Sequence, residues 1–505
     1  MKHASLLRAA SLMAAALLPA SLFVAGCKVG PNYVRPSVPT PPAFKEQPPA
    51  PDKAAQDSAA HDPSAQNQDG WKPVQPADTA SKGDWWAAFN DAQLNQLETQ
   101  VDTANQTLKA AESNFQAARA QIGYARSYEA PTIGVSPTVA ALRDSAHEPY
   151  STIVNDGEGN FNMPFDLNYE VDLWGRIRRG VTAAREQAQA QDADIESVRL
   201  SLHAELAMDY YGLRTDDAQT RLLEDTVKAY QQALQLTQDR FEGGAAPKSD
   251  VAQAQTQLDQ AKVQLTDIEV QRTQYEHAIA VLIGKAPAEF TLAPIPINQQ
   301  APVIPNIPAV LPAELLERRP DIAGTERRMA AANEQIGIAQ AAFYPTLSLS
   351  ALLGLQGTSA LNWFNWPSRF WAVGPTFSET LFDAGRRKST KRMTEAQYDA
   401  TVANYRQTTL TAFQQVEDNL AALRVLAHEA DQQHQATEAA EQSLDLFQTR
   451  YEGGVDTYLQ VVTWQTAALN NQRNDLTIMQ RRLEASILLI KALGGGWDTS
   501  KLPKM

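Results

Sequence analysis

The pentapeptide Arg240-Phe241-Glu242-Gly243-Gly244 recurs as Arg450-Tyr451-Glu452-Gly453-Gly454, and this repetition constrains the chain more than any other feature. The same offset aligns Leu213 with Leu423, Val251 with Val461, Gln255-Thr256 with Gln465-Thr466 and Gly284 with Gly494. Earlier in each half, Gln121-Ile122-Gly123 and Pro131-Thr132 match Gln335-Ile336-Gly337 and Pro345-Thr346. Chance does not hold one register over such a span, so the body reads as two copies of one unit. Repeat one is placed at 84–290 and repeat two at 312–496, joined by a Pro-rich connector over 291–311 and followed by a tail over 497–505.

Two periodicities alternate inside each copy. From Ile177 to Phe241 there is no Pro, and Leu206, Leu213, Val227, Leu234 and Phe241 fall on seven-residue spacing, which predicts one long helix or a nearly continuous pair. About 64 residues rising 1.5 Å each span roughly 95 Å. After the Gly-Gly turn, Val251, Leu258, Leu265 and Ile279 with Ala254, Ala261, Ile268, Tyr275 and Leu282 form an a/d seam for coiled-coil packing. The second half repeats this plan from Arg386 to Tyr451 and from Tyr458 to Leu493. Elsewhere the period is two. Phe161, Met163, Phe165, Leu167, Tyr169, Val171 and Leu173 alternate with Asn162, Pro164, Asp166, Asn168, Glu170 and Asp172, the pattern of a strand with one apolar and one polar face. Weaker alternation runs through Ile133–Ala141, Leu347–Leu355 and Trp371–Leu381. In a soluble sandwich the apolar face looks inward; in a membrane barrel it looks out to lipid.

The amino terminus bears on that choice. Lys2 and Arg8 precede an Ala/Leu-rich run without an acidic residue, an export signal over 1–26. The run ends in Val24-Ala25-Gly26-Cys27, which resembles the lipobox of bacterial lipoproteins and makes Cys27 the acylated first residue of the mature chain. Lys28 follows, not the Asp that commonly retains lipoproteins in the inner membrane, so the outer membrane is expected. Residues 27–83 then read as a lipidated tether: the Pro-rich stretch from Pro36 cannot build a core, and order is expected to begin near Asp84-Trp85-Trp86. No mature segment approaches the ~20 apolar residues of a spanning helix, so a bilayer crossing must use strands. Four strands cannot close a barrel, since the smallest have about eight; if the strands span, several chains must share one.

The 505 residues carry a net charge of −14, with 7 His and 1 Cys. An acidic chain without Lys/Arg runs is no nucleic-acid binder by default. One Cys allows neither an intrachain disulfide nor a Cys-based cluster. There is no HExxH, P-loop, dinucleotide fingerprint or Gly-x-Ser-x-Gly elbow, so neither catalysis nor a cofactor or metal is expected; the only prosthetic group implied is the lipid on Cys27. His434 and Glu438 share a helix face but read as solvated.

The lipobox, Gly30-Pro31-Asn32-Tyr33-Val34-Arg35-Pro36, Tyr169-Glu170-Val171-Asp172-Leu173-Trp174-Gly175-Arg176, Leu315-Leu316-Glu317-Arg318-Arg319-Pro320-Asp321-Ile322 and the two Gly-Gly turns together resemble the outer membrane efflux lipoproteins of the TolC/OprM (NodT) family. The resemblance covers essentially the whole mature chain. It implies a mainly α fold with a membrane β-barrel: a homotrimer whose twelve strands, four per chain, continue into a periplasmic barrel of long helices. It further implies an outer membrane duct for solutes, docked through a periplasmic adaptor to an inner-membrane pump of the resistance-nodulation-division (RND) type. By that resemblance the turns at Arg240, Gly243, Gly244, Arg450, Gly453 and Gly454 meet the adaptor, although a helix-ending Gly is also explained as a cap. Family members often carry aspartates just after the second turn; here Gln460 and Thr463 stand there, with Asp456 and Leu459 before them. The closed end is therefore expected to be held by Leu459 packing and hydrogen bonds, not by a carboxylate ring. Asp166, Glu170 and Asp172 are assigned to the lumen, where they would favour cations. Two other readings remain from the residues: a conduit for protein secretion, and a non-spanning periplasmic coiled-coil adaptor.

Overall fold

The computed structural model describes residues 27–38, 40–46, 84–143, 158–297 and 318–495. The export segment, the tether from 47 to 83, the connector from 298 to 311 and the tail lie outside the described residues. A short 3-10 turn (Trp85–Phe89) leads into α1 (Ala92–Ala104) and α2 (Gln106–Ser127), then strands β1 (Thr132–Val135), β2 (Thr138–Leu142) and β3 (Glu158–Val171). The chain continues through α3 (Arg176–Glu242) and α4 (Lys248–Leu282), then α5 (Pro320–Ala341), β4 (Thr346–Gly357), β5 (Arg369–Ser378), α6 (Arg386–Glu452) and α7 (Tyr458–Ala492).

Corresponding elements of the two halves have equal lengths. The helices α3 and α6 have 67 residues each, α4 and α7 have 35, and α2 and α5 have 22. At 1.5 Å per residue the two longest extend about 100 Å. Their starts follow one recipe. Gly175 (φ +79°) and Gly385 (φ +87°) turn the chain out of the strand in a left-handed conformation open to glycine. An acid then takes a first-turn N–H that has no helical partner: Asp172 accepts from the Arg178 amide at 2.9 Å, and Asp383 accepts from that of Arg387 at 3.1 Å.

The strands form one antiparallel sheet in the order β1/β2, β3, β4, β5. Both β1 and β2 pair with β3, so they are a single strand interrupted at Ser136-Pro137, where proline has no N–H to give the ladder. The main apolar core lies elsewhere, around the middle of α3. There Leu206, Tyr210, Tyr211 and Leu213 pack with Trp86, Phe89, Leu94 and Val101 from the first segment, Ile279 and Ile283 from the end of α4, and Leu483 and Ile487 of α7. The seam expected along α4 is buried at Ala254, Leu258, Ala261, Ile279 and Leu282.

The tether corrects the expectation of an unpacked start. Residues 27–38 and 40–46 lie as a strap on the helices. Phe44 is 3% exposed, among Phe413, Val416, Leu420 and Leu489. Tyr33 donates to Glu326, Arg35 to the Tyr405 hydroxyl, and the amides of Lys45 and Glu46 to the Glu417 carboxylate. Proline-rich chain cannot fold on itself, yet it loses little entropy when it lies along a preformed groove.

Candidate functional site

Two places are built unlike ordinary protein surface: the sheet and the far tips of the helices. In the sheet, register puts every odd-numbered residue on one face. Ile133 opposes Leu167, Phe165 opposes Leu353, Leu353 opposes Trp371, and Leu347 opposes Phe377. The result is a continuous apolar face over all the strands. It is not a core: Ile133 is 73% exposed, Trp371 74% and Phe377 67%. No α-helix packs across it among the described residues. The opposite face carries Thr132, Asn162, Asp166, Asn168, Ser348, Ser350 and Thr376. Aromatic rings gather where strands pass into helices. Trp174 stacks on Tyr344 at 4.8 Å and donates to the Pro345 carbonyl at 2.7 Å, and Tyr124 and Tyr128 are exposed where α2 passes into β1.

Of the three acids assigned to the lumen, Asp166 alone keeps a strand position without an arginine partner. Glu170 is held bidentately by Arg176 at 2.9 and 2.7 Å. Asp172 lies beyond the end of β3 and binds Arg178. At the same junction lies the exposed thiol of Cys27. The Val29 amide donates to the Trp174 carbonyl at 3.1 Å, which fixes the start of the strap beside the end of the sheet. Arg179, wholly buried, fastens it further by donating to the carbonyls of Val29 and Pro31 and to Glu334, which also meets Lys28 at 3.1 Å. Nothing in the sequence singled out Arg179. The signal that existed was Gly337, whose missing side chain leaves the space that Arg179 fills.

The tips repeat one backbone. Gly243 and Gly453 cap their helices in the right-handed region, and Gly244 (φ +75°) and Gly454 (φ +73°) take the left-handed one. The amides of Gly244 and Ala245 return to the carbonyls of Phe241 and Arg240, and those of Gly454 and Val455 to Tyr451 and Arg450. This is the Schellman closure. The glycines therefore serve as caps, whatever else they meet. Arg240 leaves its own hairpin, donates to the Tyr451 carbonyl at 2.6 Å and stacks over the Tyr451 ring. Arg450 stays in its own turn, 2.9 Å from Asp456. That pairing keeps Asp456 from acting as a free carboxylate. Leu459 is exposed on the first turn of α7; the Thr463 hydroxyl donates back to the Leu459 carbonyl at 2.8 Å, and Gln460 is half-buried beside them.

A buried polar group near the helix middle was also missed. His203 lies between Glu98 (2.6 Å) and Asp102 (3.3 Å), under the ring of Trp86. Burial opposes its charge, but the bonds to Asp102 and Glu98 outweigh this and lift its pKa to about 9. A pocket of about 420 Å³ opens beside it, lined by Trp85, Arg199 and Gly494 among others. His434 and Glu438 meet at 3.3 Å on an open helix face, as a solvated pair.

With this geometry in place, the comparisons with known proteins are direct. The family model described as outer membrane efflux protein matches residues 97–285 and 311–495. A probable efflux pump outer membrane protein of Pseudomonas putida, TtgC, is 30% identical over 434 residues, covering 85% of this chain and 88% of its own. Outer membrane protein OprJ of Pseudomonas aeruginosa is 31% identical over 423 residues, covering 83% and 87%. Among solved structures, the outer-membrane channel OprN superposes with a TM-score of 0.83 at 26% identity, over 93% of this chain and all of that one. The MtrE outer membrane channel of Neisseria gonorrhoeae shares the fold, with a TM-score of 0.79 at 24% identity over 93% and 98%. The chain belongs to the outer membrane efflux protein family.

Proposed function

We propose that three copies of this chain close a single twelve-stranded barrel in the outer membrane, continued by the long helices as a periplasmic duct through which solutes leave passively. The carrying observation is the sheet: two free edges, an exposed apolar face and a polar face, in a chain with no helix apolar enough to span among its described residues. Unpaired strand edges are costly in lipid, and closure with further copies satisfies them. The matched lengths of the two halves support an internal duplication supplying two strands each. Proximity of Cys27 to the Trp174 corner supports acylation of Cys27 as an anchor in the inner leaflet, level with the end of the apolar face. Relatives named as efflux pump outer membrane proteins support docking of the paired Gly-Gly tips onto a periplasmic adaptor, with an RND-type inner-membrane pump supplying the energy. The chain itself conducts and does not catalyse.

At the tip, exposed Leu459 and the self-satisfied Thr463 support an aperture closed by apolar packing. Planar-bilayer recording tests both levels. Purified protein is expected to run as a heat-sensitive trimer and to give discrete conductance steps that millimolar divalent cations on the periplasmic side block only weakly. A stable monomer without conductance would overturn the duct, and strong divalent block would overturn the apolar aperture.

A further inference from the structure

Among the described strand residues there is one cation, Arg369, and it stands on the wrong face for a soluble protein. It opposes Leu355, in the apolar row that continues through Trp371, Val373 and Phe377. It also stands at one extreme of that row. Arg369 and Phe377 are separated by about 26 Å along β5 at 3.3 Å per residue. A strand tilt of about 40° reduces this to about 20 Å of depth, close to the apolar band of outer-membrane barrels, roughly 25 Å tall. The helices and Cys27 mark the periplasmic end, so Arg369 lies at the outer headgroup boundary.

Its side chain is held as if for a ligand. Nε donates to the Trp366 carbonyl at 2.8 Å, and the guanidinium carbon lies 3.0 Å from the centre of the Trp366 ring. Among the described residues of one chain no carboxylate pairs with it, and Nε is the one of its nitrogens that has a hydrogen-bond partner. A guanidinium fixed by one edge and one face, with its fork open, is organised for bidentate binding of a phosphate. Trp366 and Trp371, both largely exposed, flank it with rings suited to the boundary between acyl chain and headgroup. An unpaired cation at an apolar surface is costly unless an anion arrives with the lipid.

We propose that Arg369, clamped by Trp366, binds the phosphate of a phosphorylated glycolipid in the outer leaflet. The proposal rests on the reading of the sheet as a barrel wall. It is tested by native mass spectrometry of the full lipidated trimer in detergent with diphosphoryl lipid A, the same lipid with both phosphates removed, and inorganic phosphate, for the wild type, Arg369→Ala and Arg369→Lys. The wild type is expected to retain diphosphoryl lipid A about tenfold better than the dephosphorylated lipid, the effect of roughly one charge-assisted hydrogen bond. Arg369→Ala is expected to lose that preference and Arg369→Lys to recover only part of it, while millimolar inorganic phosphate fails to displace the lipid. Equal retention by wild type and Arg369→Ala, full rescue by lysine, or displacement by inorganic phosphate would overturn the site. Conductance and heat-sensitive trimers should persist in all three proteins. If the wild type forms no trimer, the barrel reading fails; if trimers and conductance are intact but the preference is absent, this site alone fails.

Discussion

The two helix tips share a pentapeptide pattern and a backbone, yet their arginines do different work. Both turns place the second glycine in the left-handed region, and both return the same pair of amide bonds. The divergence comes two residues later, where the first turn has Ala246 and the second Asp456. Arg450 finds an acid within its own turn. Arg240 finds none and reaches across to Tyr451, so the first hairpin is tied to the second while the second is tied to itself. Backbone geometry was set by the local sequence, and a single side chain outside the repeated pattern decided where the charge went.

This asymmetry can be broken at graded cost. The largest effect is expected from Gly454→Val: a β-branched residue at φ +73° should cost about 2 kcal/mol, read by chemical unfolding, whereas Gly453→Ala, in the right-handed region, should cost well under half of that. Next comes Arg240→Ala, which removes a partly buried hydrogen bond and a ring stack worth together about 1–2 kcal/mol. Resting conductance in bilayers should rise, because the hairpins lose their link; unchanged conductance would show that the link has no part in closure. The double change Ala246→Asp with Asp456→Ala should move the local acid from the second turn to the first. Arg240 is then expected to fold back, giving a smaller rise in conductance and a stability change below about 1 kcal/mol. Arg450→Ala should be smallest, within about 0.5 kcal/mol and shrinking with added salt, since Arg450 is 57% exposed. An Arg450→Ala effect larger than that of Arg240→Ala would reverse the comparison.

Much of the framework was legible because it is written in short-range period. The helix expected over Ile177–Phe241 forms as Arg176–Glu242, and that expected from Tyr458 to Leu493 forms as Tyr458–Ala492. The alternation around Phe161 marks the true face of β3, although the last strand ends at Ser378, before the expected Leu381. The strap was not legible, since its partners are remote: the Lys45 amide meets a carboxylate 372 residues away. Local hints of it were the Gly30–Pro36 motif, which carries Tyr33 and Arg35, and lone Phe44 among prolines. Likewise Gly123 and Gly337 are matched in sequence, but the space beside Gly123 is empty while that beside Gly337 holds the Arg179 guanidinium. The arginine partners of two of the three acids assigned to the lumen were hidden for the same reason: Glu170 and Asp172 meet arginines that follow a corner, and alternation says nothing of what waits beyond it.

By itself the sequence determined what depends on neighbours within a turn or a strand: helix lengths, the glycine caps, and a sheet greasy on one side. Only the tertiary structure decided which distant groups meet those surfaces, from the buried hold of Arg179 on the strap to the crossing of Arg240 and the open fork of Arg369. Backbone conformation follows local sterics and hydrogen bonding, whereas a long charged side chain settles wherever the folded chain leaves it an acceptor.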